Sequence, residues 1–206
     1  GMIYMRGQSR DYDRWAELLG DSQWNWQHSL PFFTRHEDHY KGADALHGAG
    51  GEWRVDKQRL RWEVLDAFAQ AAVQAGIPAS DDFNRGNNEG VGYFEVNQKG
   101  GWRWNTAKAF LRPTCMQRPN FELWTGAQVT RLVFANTAGN PRCTGVKVCK
   151  EGQLLEVSAR AEVILCAGAI GSPQILQLSG VGPAQHLQSL GIPVIKDLPG
   201  VGENLQ

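Results

Sequence analysis

Five histidines are the side chains of this sequence best suited to proton transfer or metal binding: His28, His36, His39, His47 and His186. His36 and His39 flank two acidic residues, which resembles a metal-ligand cluster at first sight. A zinc site needs about four ligands, and two histidines three residues apart on a predicted helix have no obvious further partners. The sequence therefore favours a solvated polar helix face there. None of the five histidines is assigned as a catalytic base.

A stretch of small residues, whose backbone a ligand could approach, is the second feature that indicates a binding site. An apolar strand predicted over residues 162–166 runs into Ala167-Gly168-Ala169, and a helix follows with Ser172 as N-cap and Pro173 at its first position. Such small residues let a flat or phosphorylated ligand approach the main chain, and ligands of open α/β sheets bind beyond the carboxyl ends of strands. An ordinary strand–turn–helix connection also needs small residues, and spacing alone favours that interpretation.

Other chemical motifs are absent. The runs Gly48-Ala49-Gly50-Gly51 and Gly200-Val201-Gly202 both lack the third glycine of G-x-G-x-x-G, and there is no P-loop. The four cysteines show no metal-ligand pairing: Cys115, Cys143, Cys149 and Cys166. We expect free thiols, with Cys166 as a small buried hydrophobe. Free thiols favour a reducing, cytoplasmic compartment, and membrane association through a separate segment stays open.

The elements that must position these residues differ between two regions. Residues 1–105 are irregular and aromatic, whereas residues 106–206 show the strands and helices of an α/β layer, so we expect a mixed α+β fold. Helices are predicted at residues 11–20 (with Asp11 as N-cap and Gly20 as stop), 27–40 (with Pro31 in the first turn), 59–75, 106–112 (closed by Pro113), from 172 onward, and 183–190. Strands are predicted at residues 91–96, 121–125, 128–135, 144–149, 154–159 and 162–166.

Composition excludes several classes of protein. The 206 residues are 42% hydrophobic and 20% charged with a formal net charge of zero, which gives no basic footprint for nucleic acid. No apolar run approaches the roughly 18–20 residues that cross a bilayer.

Six of the eight tryptophans fall within the first 102 residues. Core packing is favoured for them over an apolar lid on a substrate pocket. The opening Gly1-Met2 suggests a chain cut from something longer.

A family resemblance extends over the whole chain. The run Gly168–Gly182 has Gly, Ser-Pro and Ser-Gly-x-Gly at the spacings of the second signature of the glucose–methanol–choline (GMC) oxidoreductases. Further stretches resemble other parts of that family in order: Gly1–Gly7 with Asp11–Trp15, Asp82–Asn84 with Glu89–Tyr93, Arg103–Ala107, and Leu198–Gln206. Asn105 departs from the serine that many relatives carry. The branch that includes choline dehydrogenases is the most similar one.

The resemblance implies FAD as cofactor and a partial FAD-binding Rossmann-like layer with part of a substrate-binding cap. Residues 1–30 would be a flavin-proximal segment, 31–105 part of the cap, and 106–206 strands and helices of the FAD domain. Gly1 and Met2 would lie by the flavin ring, and Val129 would meet the adenine through its backbone. Ala167, Gly168 and Ala169 would line the ADP portion, while the run containing Gly202, Asn204 and Leu205 would approach the isoalloxazine. His47-Gly48 resembles a family turn, which favours a structural role.

The implied reaction is hydride transfer from a primary alcohol to flavin N5, giving an aldehyde. The phosphate-binding glycine loop would lie upstream of Gly1 and the catalytic histidine downstream of Gln206, so no catalytic residue is expected within the chain. Alternatives are an oxidase that passes electrons to oxygen, a non-redox lyase that keeps FAD, and a non-catalytic fragment. A nicotinamide Rossmann protein is disfavoured. The 206 residues alone are expected to bind FAD weakly or not at all and to aggregate.

Overall fold

The computed structural model describes residues 1–137 and 140–205. It divides into two compact units, Gly1–Glu122 and Leu123–Gln206, here called the N-terminal and C-terminal units. Both contain helices and strands, which confirms the predicted mixed fold class. The boundary lies between residues 122 and 123, and the assignment of residues 1–30, 31–105 and 106–206 to FAD and cap domains stays a prediction. No helix in the described part of the chain combines the length and apolar character needed to cross a membrane.

The N-terminal unit consists of short elements joined by long irregular segments. Its helices are α1 (Ser9–Leu19), a 3₁₀ turn (Ser22–Trp24), α2 (Trp26–His36), α3 (Glu63–Gln74) and a π-type helix (Ala107–Cys115). Its strands form two small sheets: β1 (Glu37–His39) parallel to β2 (Trp53–Val55), and β3 (Gln98–Lys99) antiparallel to β4 (Trp102–Arg103). The predicted strand at 91–96 makes only isolated bridges at Val91 and Val96. Because these elements are short, side-chain contacts must hold many of the irregular segments in place.

Helix α1 shows how the sequence sets its own ends. Gln8 is the N-cap, and Asp11 at the third helical position accepts a hydrogen bond from the Gln8 N–H at 2.8 Å, which completes a capping box. Asp11 is therefore not the N-cap that the sequence suggested. Gly20 ends the helix in the left-handed conformation at φ 63°, as predicted.

The predicted helix over residues 27–40 ends early, and this changes the interpretation of its polar residues. Helix α2 stops at His36, with Pro31 in its middle rather than in its first turn. Glu37 and His39 lie in β1 and are buried. Alternate residues of a strand point to the same face, so both side chains turn inward together. The expectation of a solvated helix face was wrong.

Two other helices differ at their boundaries. Helix α3 begins at Glu63 rather than at residue 59. Pro113 lies inside the π-type helix instead of ending it, and the Met116 N–H reaches back five residues to the Leu111 carbonyl. A proline lacks the N–H that an α-helical turn needs, and the wider turn tolerates this loss.

The C-terminal unit is built on an antiparallel three-stranded sheet in the order β5 (Ala127–Thr137), β6 (Asn140–Lys150) and β7 (Gln153–Ser158). Glu151 and Gly152 make the predicted turn between β6 and β7, with φ of 52° and 78° as a tight two-residue hairpin requires. The remaining elements are α4 (Gly168–Leu178), β8 (Val181–Gly182), α5 (Ala184–Ser189) and β9 (Lys196–Asp197), with β8 parallel to β9. Residues 121–125 form no strand.

The apolar stretch before α4 is the clearest departure from expectation. Residues 162–166 are not a strand, Ile164 is 76% exposed, and Cys166 is exposed rather than buried. A central parallel strand needs neighbours for its backbone groups, and no described strand pairs with these residues. Helix α4 starts at Gly168 with Ala167 as N-cap, five residues before the N-cap predicted at Ser172. Ser172 lies inside the helix, and its Oγ accepts a hydrogen bond from the Ala167 N–H at 3.1 Å.

Candidate functional site

The small-residue corner at the start of α4 presents open backbone. Ala167, Gly168 and Ala169 are all exposed. Gly168 has φ 82°, and a Cβ at this position would meet nothing within 4 Å. The N-cap residue makes no side-chain capping bond, so the first-turn N–H groups of α4 point to an uncovered end of the helix. Such an end favours phosphate and other anionic groups, which fits the pyrophosphate-bearing half of FAD.

The loop at residues 200–205 lies against the other end of the same helix. Gln177 Nε2 donates a hydrogen bond to the Val201 carbonyl at 2.9 Å. Gly202 has φ 92°, and a Cβ there would lie 2.8 Å from Gln177 Nε2. The eleven residues of α4 span about 16 Å at 1.5 Å each. Helix α4 therefore brings two predicted cofactor segments into one unit at a fixed separation.

The end of this loop is open to solvent. Asn204 adopts a left-handed conformation at φ 57° and is exposed. Leu205 is 68% exposed. The loop therefore offers a polar and an apolar side chain without a partner element over them in the described residues.

Val129 lies in β5, opposite Val148 of β6 and next to a register shift. Because β5 has a described strand on one side only, its other edge can offer backbone groups to a planar ligand. The Val129 carbonyl accepts a hydrogen bond from the Gln128 side chain at 3.2 Å, which a ligand would have to replace. The strand is also tied to α4: the Leu132 N–H donates to Ser179 Oγ at 2.8 Å, just beyond the helix. The C-terminal unit thus holds the predicted adenine, ADP and isoalloxazine segments on connected elements.

Gly1 and Met2 belong to the N-terminal unit, and the structure describes their surroundings there alone. Gly1 is exposed, and a Cβ at its position would meet nothing within 4 Å. The Met2 carbonyl accepts a hydrogen bond from the Asn97 N–H at 2.7 Å, and Ile3 makes an antiparallel bridge to Val96. The opening segment is thus paired to residues near 96, and its contact with the flavin stays a prediction.

A buried group of charged residues contacts this opening segment through Arg6. It was not predicted from the sequence. We call Arg6, Glu37, His47 and Asp82 the ionic cluster. Arg6 Nη2 lies 2.7 Å from Glu37 Oε1. His47 bridges two carboxylates, with Nδ1 3.1 Å from Glu37 Oε2 and Nε2 2.9 Å from Asp82 Oδ2. All four residues are buried.

A second set of buried polar side chains packs beside the ionic cluster. His39 stacks on His47 with 3.9 Å between ring centroids, and its Nε2 lies 2.8 Å from Glu95 Oε1. Asn84 donates to Glu95 Oε2 at 3.1 Å and accepts from the Arg6 N–H at 2.7 Å. Buried polar groups are tolerated when they are hydrogen-bonded, and these groups satisfy each other.

Charge pairing sets the ionisation of the cluster. Burial opposes a charge on His47, but hydrogen bonds from its two ring nitrogens to Asp82 and Glu37 outweigh burial and raise its pKa to about 9. Burial likewise opposes the charge on Asp82, yet the bonds from His47 and the Asn84 N–H lower its pKa to about 2. The pKa of Glu37 is lowered against burial by His47, the Gly48 N–H and Arg6. At neutral pH His47 is an imidazolium that donates from both nitrogens.

The cluster is not a metal centre. No group of three or more histidine, cysteine or acidic side chains within residues 1–137 and 140–205 is arranged to hold a metal ion. The carboxylates near His47 are already bonded to Arg6 or to the imidazolium. The contacts of His47 agree with the structural role favoured from the sequence. In the sequence, the cluster could have been suspected only from the family-like runs Asp82–Asn84 and His47-Gly48. Neither run indicates a contact with Arg6, which lies 78 residues before Asn84.

Comparison with known proteins places this geometry in a family. The GMC oxidoreductase family model matches residues 1–206. The chain is 42% identical to mitochondrial choline dehydrogenase of Mus musculus over 205 residues, covering 100% of this chain and 33% of that protein. It is also 42% identical to oxygen-dependent choline dehydrogenase 1 of Chromohalobacter salexigens over 208 residues, covering 100% and 36%. The chain thus spans about a third of the length of these curated relatives.

A solved structure agrees with the sequence matches. An FAD-dependent oxidoreductase from Chaetomium thermophilum superposes with a TM-score of 0.84 at 30% identity, covering 100% of this chain and 37% of that one. The predicted resemblance and the predicted cofactor are therefore confirmed. The chain belongs to the GMC oxidoreductases, a family of FAD-dependent enzymes.

Proposed function

We propose that this chain is part of a longer FAD-dependent dehydrogenase that oxidises the CH–OH group of a primary alcohol of the choline type to an aldehyde. The open corner Ala167–Ala169 at the uncapped start of α4 is the observation that carries this proposal. The similarity to choline dehydrogenases over the whole of this chain supports the substrate class. FAD would accept the hydride at its flavin ring, and the protein would supply binding and orientation.

Each predicted segment has a distinct task in this proposal. The N–H groups at the start of α4 would hold the ADP portion, and the free edge of β5 at Val129 would hold the adenine. The loop at residues 202–205, fixed to α4 through Gln177, would orient the isoalloxazine. Gly1 and Met2 would lie by the flavin ring. The general base would come from another part of the longer protein, as the family resemblance implies.

The apolar surface of the C-terminal unit agrees with such a longer protein. Ile164, Ile170 and Leu154 are all more than two-thirds exposed. We propose that further strands of the FAD domain cover residues 162–166 and complete a parallel sheet there. The free cysteines, with Cys166 exposed, fit a reducing compartment.

The cofactor site is tested by two glycine variants of the full-length protein. Gly168 and Gly152 have φ of 82° and 78°, and a Cβ meets nothing within 4 Å at either. Gly168→Leu and Gly152→Leu therefore impose similar backbone strain, but only the first places a side chain in the corner. We expect Gly168→Leu to lose at least about tenfold in FAD affinity, roughly 1.4 kcal/mol, and Gly152→Leu to retain FAD. Equal flavin content in both purified variants would contradict this site.

The electron acceptor is tested separately, because one relative is named an oxygen-dependent choline dehydrogenase. Full-length protein would be given choline with an artificial acceptor in the absence of oxygen, and then with oxygen alone. Turnover in the first assay and little in the second supports a dehydrogenase. The reverse result would make the protein an oxidase. An active protein that never bleaches its flavin would support a lyase instead.

A further inference from the structure

The ionic cluster lies outside the proposed cofactor segments, and the proposed reaction gives it no task. It joins three distant stretches of chain: the opening segment through Arg6, β1 and its following loop through Glu37 and His47, and the Asp82–Asn84 run. Charged groups are costly to bury unless they are paired. Even when they are paired, replacing such charges by apolar residues is often neutral or stabilising, so stability alone does not account for this network beside the opening segment.

Arg6 is fixed at both its main chain and its side chain. Its N–H donates to Asn84 Oδ1 at 2.7 Å, while Nη1 donates to the Leu46 carbonyl at 2.6 Å and Nη2 pairs with Glu37. Two residues earlier, the Tyr4 N–H donates to the Glu95 carbonyl at 2.8 Å. Glu95 is in turn bonded to Asn84 through its side chain. The conformation of residues 1–7 is thus tied to the cluster at several points, close in sequence to Met2.

We propose that Arg6, Glu37, His47 and Asp82 are positioning residues for the flavin: they hold the opening segment so that Gly1 and Met2 meet the isoalloxazine at a fixed distance. This inference rests on the proposed function. None of the four residues touches the reacting atoms, and each acts through the backbone of residues 1–7. Small errors of position matter at this point, because a displacement of about 1 Å can cost about 100-fold in rate.

The charge balance of the cluster makes the positioning sensitive to pH. Arg6 and the His47 imidazolium face Glu37 and Asp82, so the four charges cancel. Nearby charged groups are Arg85, 3.7 Å from Asp82, and Glu95, which pairs with His39. Asp44 accepts the His47 N–H at 2.8 Å, and the charge of Lys41 also helps to lower the pKa of Asp82. Tyr4 also contacts the Arg6 side chain, and burial raises its pKa. Loss of the His47 proton leaves Glu37 and Asp82 facing a ring that can no longer donate to both.

The first test needs no variant. The visible circular dichroism of the flavin in the full-length holoenzyme would be followed between about pH 7 and pH 10, with free FAD in the same buffers as control. We expect a reversible change centred near pH 9, the pKa of His47, that free FAD does not show. A flavin signal that follows free FAD throughout this range would overturn the inference.

The second test compares two carboxylate-to-amide variants. Glu37→Gln removes a buried partner 2.7 Å from an arginine, and Asp66→Asn removes a partly exposed partner 2.9 Å from Arg61. We expect Glu37→Gln to lower kcat about 10- to 100-fold at nearly unchanged FAD content and to shift the flavin reduction potential. Asp66→Asn should leave kcat within about twofold, a change of only about 0.4 kcal/mol, and leave the reduction potential unchanged.

The outcomes separate positioning from folding and from the proposed function itself. His47→Gln should give the high-pH flavin spectrum already at neutral pH and show no transition near pH 9. If Glu37→Gln and His47→Gln bind FAD with the wild-type spectrum and potential and merely unfold at lower temperature, the cluster is only structural. A full-length wild-type protein that binds no FAD overturns the proposed function, whereas normal FAD binding without these effects overturns only this inference.

Discussion

The two units bury different kinds of side chain. In the N-terminal unit the buried polar residues outnumber the buried apolar ones, and they are Arg6, Glu37, His39, His47, Asp82, Asn84, Glu95 and Asn97. In the described part of the C-terminal unit the buried residues are mostly aliphatic: Leu132, Val148, Ile175, Val181 and Leu187, with Ser179 as the polar one. The N-terminal unit has short strands and long loops, whereas the C-terminal unit has two antiparallel strands of eleven residues each.

This difference follows from how much regular structure each unit has. A sheet satisfies its backbone groups internally and can pack aliphatic side chains. The irregular N-terminal unit must satisfy many loop N–H and C=O groups with side chains, as Glu37 does for the Gly48 N–H and Asp82 for the Asn84 N–H. We therefore expect the N-terminal unit to depend on charge state and the C-terminal unit on side-chain volume.

The largest effect is expected for Glu37→Gln. Loss of this carboxylate leaves Arg6 and His47 without their shared partner in a buried site, and breaking a buried ion pair costs about 3–5 kcal/mol. Urea denaturation of the full-length protein would measure the lost free energy of unfolding. The exposed pair of Asp66 with Arg61 serves as control, and Asp66→Asn should change the midpoint little. Equal losses in the two variants would remove the contrast between buried and exposed charge.

Leu187→Ala tests the aliphatic side of the comparison. Leu187 is fully buried, and truncating a buried leucine costs about 2–5 kcal/mol through lost burial and the cavity left behind. Leu190, 60% exposed just after the same helix, is the matched control, and Leu190→Ala should cost far less. Both losses should be the same at pH 7 and pH 9, because no titratable group is involved. A pH-dependent loss for Leu187→Ala would contradict the proposed division.

The pH dependence of wild-type stability should come from the N-terminal unit. The pKa of His47 is raised from 6.5 to about 9, so its stabilising charge is fully present below pH 6.5 and is lost as the pH rises through 9. The slope cannot exceed about 1.4 kcal/mol per pH unit for one proton. At the acid end the lowered pKa of Asp82, about 2, gives stability above pH 3.8 that is lost as the pH falls toward 2.

His47→Gln is the variant that isolates this effect. Thermal unfolding of the full-length protein at about pH 6.5, 8 and 9 would show a falling midpoint for wild type. The variant should unfold earlier at the lowest of these pH values and show a flatter dependence across the alkaline range. A wild-type midpoint that stays constant across the series would mean that His47 does not carry its proton as the two carboxylate contacts require.

The sequence predicted the parts of the fold that local chemistry determines. Gly20 as a helix stop, the Glu151-Gly152 turn and the strands on either side of it are set by residues close in sequence. Residues 162–166 were predicted from apolar character, but a buried strand exists only where neighbouring strands pair with it. The described chain supplies none. The Trp residues illustrate the same limit, since Trp62 and Trp102 are exposed rather than in a core.

The candidate site divides in the same way. The corner at Ala167–Ala169 was predicted from a local signal, small residues near the start of a helix, and its role in binding FAD stays a prediction. The N-cap of α4 is Ala167, five residues before the predicted Ser172. The ionic cluster was missed because its contacts join residues 10 to 35 positions apart. The sequence around Glu37 predicts that the helix continues to residue 40. In the structure the pairing of β1 with β2 replaces that continuation and turns Glu37 and His39 inward.

The smallest effect is expected at Ser179, the buried polar side chain of the described C-terminal unit. Its Oγ accepts the Leu132 N–H at 2.8 Å and ties the end of α4 to β5. Ser179→Ala leaves that buried N–H without an acceptor, which costs about 1–3 kcal/mol. Ser189 is the control, because its Oγ bonds the His186 carbonyl at an exposed position where water can replace it. If Ser179→Ala costs no more than Ser189→Ala, the tie between α4 and β5 depends on apolar packing alone, and the contrast between the units becomes sharper.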